Sequence, residues 1–396
     1  MNNHIIMIKR QKNIWYELYL IVACIYAVYR VITATYIENL IFFPVNKLYI
    51  VNYVCIIGLI ISFFGQTKIT YKRLIISFII AIIIGIISYF SFDMPSFITF
   101  IFILTYPAGL SLKILARRMF WCYFIVIPVI VLAALNGIIK DYTIYQRVLR
   151  HSCGFVTPNT FSNYVTITVM LKVYYKFDEW KVKNSFVWMV ILIVLYNITN
   201  SRLAFLSGML MIVLAHIFKL IKSNKFKRYL YNISSVLFSI LSIICVWATI
   251  YFSNHKGILY TEINLFFTGR LTWLTYYYET YGIKLFGQKI VTVSRAVAEE
   301  TGISWQNIDN AYVLIIIRFG IIFLIGMMIV YFLLGKYLKR DKNLVGAIYV
   351  VVICVIGITE NFLLHAGMNF TIFMVAEMIA SKPILCINKR IHTPKS

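Results

Sequence analysis

Charge is scarce in this chain of 396 residues: 13% are charged, only 14 are Asp or Glu, and 61% are hydrophobic. With a mean hydropathy of +0.83, so little charge excludes a soluble globular surface and indicates a polytopic membrane protein. No Cys-x-x-Cys occurs. Cys24, Cys55, Cys122, Cys245, Cys354 and Cys386 fall in or beside apolar runs and Cys153 stands alone in a polar loop, so neither a disulfide framework nor a zinc site is indicated. A Gly-rich phosphate loop, a His-Glu-x-x-His helix and a Gly-x-Ser-x-Gly elbow are also missing, which speaks against an ATPase, a zinc protease and a serine hydrolase. Asp-x-Asp, the usual metal holder on a nucleotide sugar, is absent too. So are paired broken helices of the transporter kind and a Gly-x-x-x-Gly dimer face.

Basic residues are plentiful, 38 Lys and Arg for a net charge of +24. They gather in short clusters between apolar runs, as one bilayer face collects them, so a nucleic-acid partner is not expected. Runs long enough for a hydrocarbon core of roughly 30 Å lie near 16–37, 48–64, 74–92, 97–112, 119–139, 159–175, 185–199, 203–221, 233–252, 311–334, 344–363 and 367–387. The weakest are the fourth, interrupted by Pro107 and Gly109, and the short seventh. With the N-terminus inside, 26 of the 38 basic residues fall in inner loops and ten in outer ones, and deleting either weak span would put the 219–228 basic cluster outside. The first run follows Lys9, Arg10 and Lys12 without a small-residue cleavage site and is expected to be an uncleaved span. The expectation is an all-α polytopic membrane protein, one integral domain over 1–396, with about 12 transmembrane helices and both termini cytoplasmic.

The stretch 253–310, between the ninth and tenth spans, is the one large extracytoplasmic loop, and a loop this long usually carries function. Within it Thr268–Tyr281 reads as an amphipathic helix, closed by Gly282 and lying along the membrane interface. Arg270, Trp273 and Tyr277 share one face of it, and could offer a guanidinium and aromatic platforms to a sugar phosphate; an interfacial aromatic belt is the plain alternative. Basic residues on the outer side have no orientation role, so they mark anion sites. Arg202 is the sharpest, in the tight turn Thr199-Asn200-Ser201 that Asn200 or Ser201 would cap, although snorkelling to headgroups fits its position equally. Further outer candidates are Arg147, Arg150 and His151, Asp309 and Asn310 at the mouth of the tenth span, Arg318 about two turns deeper, and Glu360 with His365. Arg318 and Glu360 could pair with each other or frame an outward-facing cavity; a purely structural ion pair is the plain alternative.

Taken in order, Gly154-Phe155 with Pro158-Asn159, Asn200-Ser201-Arg202, Thr268-Gly269-Arg270 with Trp273, Leu285-Phe286-Gly287, Asp309-Asn310-x-Tyr312, Phe319-Gly320 and Thr359-Glu360 resemble the Wzy-type bacterial polysaccharide polymerases, relatives of the O-antigen ligases. The resemblance covers most of residues 145 to 365. It implies a glycosyltransferase in the bacterial cytoplasmic membrane that moves a growing chain from undecaprenyl pyrophosphate to the sugar of an incoming lipid-linked repeat unit. No nucleotide or metal cofactor is implied; partners would be membrane lipid, the lipid-linked oligosaccharide, a flippase and a chain-length regulator. Arg202 and Arg270 match the arginines expected to hold pyrophosphate. Preplaced cations stabilise a leaving group that gains negative charge in the transition state. Asp309, Glu360 and His365 have the chemistry of the base that takes the acceptor proton. The related ligases are associated with a histidine in their large outer loop, where this chain has only His255, far from the arginine motif. That departure favours polymerase over ligase and Asp309 as the base. A flippase or exporter of lipid-linked sugars, a ligase-like enzyme and an outer-face acyltransferase are the alternatives.

Overall fold

The computed structural model describes residues 14–39, 48–66, 71–91, 93–146, 148–221, 223–293, 298, 302 and 306–381. Of the residues named above, Lys9, Arg10, Lys12, Arg147 and Cys386 lie outside them.

A helix stands at each of the twelve apolar runs. They are α1 (Ile14–Ile32), α2 (Ile50–Phe64), α3 (Tyr71–Ser91), α4 (Met94–Thr105), α5 (Leu112–Leu135), α6 (Pro158–Lys176), α7 (Val182–Thr199), α8 (Arg202–Leu220) and α9 (Asn224–Asn254). After them come the surface helices α10 (Ile258–Phe266) and α11 (Arg270–Tyr281), then α12 (Ala311–Arg340), α13 (Leu344–Ile356) and α14 (Thr371–Ala380). Among the described residues α1, α5, α7, α8, α9 and α12 are long and apolar enough to cross a membrane, and α2, α4, α13 and α14 are shorter apolar helices. The strands there form a single antiparallel hairpin, β1 (Thr143–Gln146) with β2 (Val148–His151). Ile243, Trp247, Leu206, Phe186 and Val129 stand exposed on the helix flanks, where water would not tolerate so continuous an apolar surface. This is the architecture of an all-α membrane protein.

Burial explains where polar residues sit. α6 packs against α5, α7, α8 and α13, and this shielding lets it carry Ser162, Asn163, Thr166 and Thr168 inside. Their groups are satisfied within the bundle: Ser162 Oγ donates to Thr199 Oγ1 at 2.8 Å and Thr166 Oγ1 to the Ala204 carbonyl at 3.0 Å.

The eleventh apolar run is not one helix. α13 stops at Ile356, and 357–370 continue as turns around a short 3-10 piece, Phe362–Leu364. An irregular backbone among apolar helices survives only where its polar groups find partners. Ala311 N donates to Gly357 O at 2.9 Å, Asn310 Nδ2 to Ile358 O at 2.7 Å and Asn369 Nδ2 to Leu363 O at 2.7 Å. Tyr123 Oη donates to the Gly367 carbonyl and Thr99 Oγ1 accepts from Ala366 N. This pinned segment holds Glu360 and His365.

α12 is interrupted by a π turn at Ile315–Phe319, and the chain after α11 docks on it. Gln288 N donates to Arg318 O at 2.9 Å, while Gln288 Nε2 reaches Ile317 O at 3.3 Å and the Tyr281 carbonyl at 3.0 Å. A π turn spoils the i to i−4 ladder and frees such carbonyls. The approach requires glycine on both sides: Gly287 has φ +83° and Gly320 φ +89°, and a Cβ on either would collide with the other segment's backbone. Leu285-Phe286-Gly287 and Phe319-Gly320 are the two halves of one joint.

Candidate active site at one end of the bundle

Thr268 and Gly269 both have positive φ, 54° and 82°, and reverse the chain between α10 and α11. Glycine accepts this region; a β-branched threonine is strained there, and such strain concentrates at functional sites. Asn264 steadies the turn, its Oδ1 accepting from Thr272 N at 3.1 Å and its carbonyl from Gly269 N at 2.8 Å. The result aims Arg270, the first residue of α11, into the bundle end. Its Nη1 donates to the Thr359 carbonyl, its Nη2 lies 3.4 Å from Glu360 Oε1, and its Nε lies 3.8 Å from Asp309 Oδ2.

The three side chains are largely enclosed, 17%, 18% and 15% exposed for Arg270, Asp309 and Glu360. Asp309 is oriented by Asn307 Nδ2 at 2.8 Å, and Asn307 Oδ1 accepts in turn from Asn361 Nδ2 at 3.3 Å. Glu360 also meets Asn163 of α6. Burial pushes the Glu360 carboxyl up to about 7, Arg270 pulling the other way and Asp309 adding to the rise. One guanidinium held between two carboxylates, one of them poised to exchange a proton near neutrality, is suited to proton transfer beside an anion.

Arg202 begins α8, exposed, and makes no hydrogen bond or ion pair among the described residues. The turn before it is held firmly. Asn200 is left-handed at the end of α7, Thr199 Oγ1 accepts from Ser162, and Arg150 Nε donates to Thr199 O at 2.7 Å. Ser201 makes no capping bond. No direct contact joins Arg202 to Arg270, yet neighbouring residues of α6 serve both: Ser162 holds the Arg202 turn and Asn163 meets Glu360.

Several expected ligands have other work. Arg150 is a strut, with Nη2 on Asn159 Oδ1 at 2.6 Å as well as Nε on Thr199 O. His151 Nδ1 lies 2.7 Å from Asp141 Oδ2, and Asp141 Oδ1 takes the Cys153 amide at 2.7 Å, so this pair closes the hairpin. Asn310 is buried, caps α12 through Val313 N at 3.0 Å and holds Ile358 O. Tyr277 corrects the expected sugar platform: it is fully buried, donates to Val291 O at 2.9 Å and stacks on Tyr281. Arg270, Trp273 and Tyr277 do share a face as the spacing required, but the loop folds over Tyr277 and makes that end of the face core. Trp273 is half-buried with Tyr276 edge-on at 5.9 Å.

The expected Arg318–Glu360 pair is also corrected. Arg318 Nη2 lies 3.2 Å from Asp93 Oδ1, whose other oxygen caps α4 by accepting from Ser96 N at 3.1 Å. Arg30 and His365 are electrostatic neighbours of this pair. Asp93, Asn163 and Arg30 were missed as site residues. Arg30, an arginine inside an apolar run, was the one readable signal. Compared with protein-family models, curated proteins and solved structures, the chain matches none.

Proposed function

We propose that this chain polymerises lipid-linked oligosaccharide repeat units at the outer face of a bacterial cytoplasmic membrane, transferring the growing chain from undecaprenyl pyrophosphate to the incoming unit. The twelve-span, both-ends-inside orientation belongs to this reading, and it puts the Arg270 cluster and Arg202 on the outer side. The observation that carries it is the Arg270–Asp309–Glu360 constellation, assembled from a surface helix, the mouth of α12 and the α13–α14 connection.

In this mechanism Arg270 turns from Glu360 to the donor pyrophosphate and Arg202 binds the same group. The acceptor hydroxyl attacks the anomeric carbon as the bond to the pyrophosphate oxygen breaks. The proton goes to a carboxylate, and the pyrophosphate leaves with the charge that the arginines stabilise. Glu360 suits the base role better than Asp309, because its proton affinity lies near neutral pH; Asp309 then holds Arg270 in place.

Arg202→Ala and Arg270→Ala should each leave single repeat units on lipid and no polymer ladder in cells, with protein levels unchanged. Normal ladders from both variants would sink the assignment.

A further inference from the structure

The second charged cluster at the same end of the bundle has the opposite balance. Arg30 of α1 and Arg318 of the π turn face one carboxylate, Asp93, with His365 beside them. Gly367 lets the α13–α14 connection lie on the Arg30 stem, since a Cβ there would press on Arg30 Cβ and Cγ. Tyr164 Oη donates to the Arg30 carbonyl at 2.7 Å and fixes the end of α1. The guanidinium itself makes no hydrogen bond or ion pair among the described residues, and its Nε is buried without an acceptor. One turn below, Tyr26 is 1% exposed, and its hydroxyl, an electrostatic neighbour of Arg30, also lacks a partner. Two buried donors without acceptors are costly unless something supplies oxygen atoms. The cluster can be reached, because the Arg318 and Asp93 side chains keep 21% and 16% exposure.

We propose that Arg30, Tyr26, Arg318 and His365 form a second anion site that takes the phosphate end of a lipid-anchored substrate. Guanidiniums and a phenol suit phosphate oxygens, and Asp93 keeps Arg318 from collapsing onto the ligand. This rests on the proposed polymerase reading in one respect: both substrates are lipid pyrophosphates, so the acceptor brings a diphosphate that must be gripped without being cleaved. A site in which guanidiniums outnumber the one carboxylate, itself paired with Arg318, suits that task.

Undecaprenyl pyrophosphate titrated into the purified full chain in detergent should fill two sites per protein. Arg30→Gln should abolish one or weaken it at least tenfold, Arg30→Lys should retain it, and Tyr26→Phe should weaken it several-fold with the melting temperature unchanged. Arg270→Gln should remove only the other. Two unaltered sites in both Arg30→Gln and Tyr26→Phe would overturn the inference, as would loss of all binding in Arg270→Gln. Loss of a site in Arg30→Gln with none lost in Arg270→Gln would leave this inference standing and remove the polymerase site. Inorganic pyrophosphate should compete only in large excess; equal affinity for it would overturn the lipid-anchored source.

Discussion

Two arginine clusters share one end of this bundle and carry opposite balances of charge. Around Arg270 one guanidinium meets two carboxylates, Asp309 and Glu360; at Asp93 one carboxylate pairs with Arg318 and has Arg30 as an electrostatic neighbour. A buried site with surplus carboxylate raises proton affinity and can accept a proton, whereas one with surplus guanidinium can retain an anion. Both are set by the same joint, because the loop that carries Arg270 docks through Gly287 on the π turn that carries Arg318.

The largest expected effect falls on the acidic side. Glu360→Gln should lower the rate of chain growth about 10²–10⁴-fold, the usual share of a general base, with the chain still folded. Since burial raises the Glu360 carboxyl to about 7, the folded state favours its neutral form. Its contribution to stability is therefore full below the ordinary carboxylate range and is lost as pH rises through about 7. In the proposed mechanism the base acts in its ionised form, so chain growth should climb through that same window. The Gln variant should lose both trends; a wild-type pH profile in it would break the contrast between the clusters.

Next comes the joint. Gly320→Ala places a side chain at φ +89° and into the Gly287 backbone, and should cost on the order of 3 kcal/mol in unfolding. Protease cleavage within 253–310 should rise and ligand binding at both clusters should fall together. Loss at one cluster alone would show that they are positioned independently.

Asp93→Asn should have the smallest effect. Asparagine caps helices about as well as aspartate, so destabilisation should stay near 1 kcal/mol, coming from the lost Arg318 ion pair. Removing the carboxylate increases the positive surplus, and pyrophosphate affinity at that site should rise several-fold. Weaker binding would contradict the charge account.

The sequence made some of this legible and hid the rest for identifiable reasons. Apolar run length located all twelve helices, because each must bury or present an apolar surface of set length. Arg270 and Arg202 stand out in the sequence as cations to which the expected orientation gives no role. Pairing did not show: Arg318 joins Asp93 across most of the chain, and nothing local distinguishes that from a pair with Glu360. Tyr277 was placed on the right helical face but turned inward, since spacing fixes which residues share a face and not what covers it. The break of the eleventh run at Ile356 was hidden because apolar Phe362, Leu363 and Leu364 carry the run past Thr359, Glu360 and Asn361, while Asn310 and Asn369, distant or unremarkable in sequence, satisfy carbonyls there.

The most direct measurement is chain growth by the purified protein in liposomes, supplied only with undecaprenyl-pyrophosphate-linked repeat units and no nucleotide. Wild-type protein should yield a ladder of lengthening chains with release of undecaprenyl pyrophosphate, and Arg270→Ala should yield none. Transbilayer movement of the units without any chain growth would contradict the account.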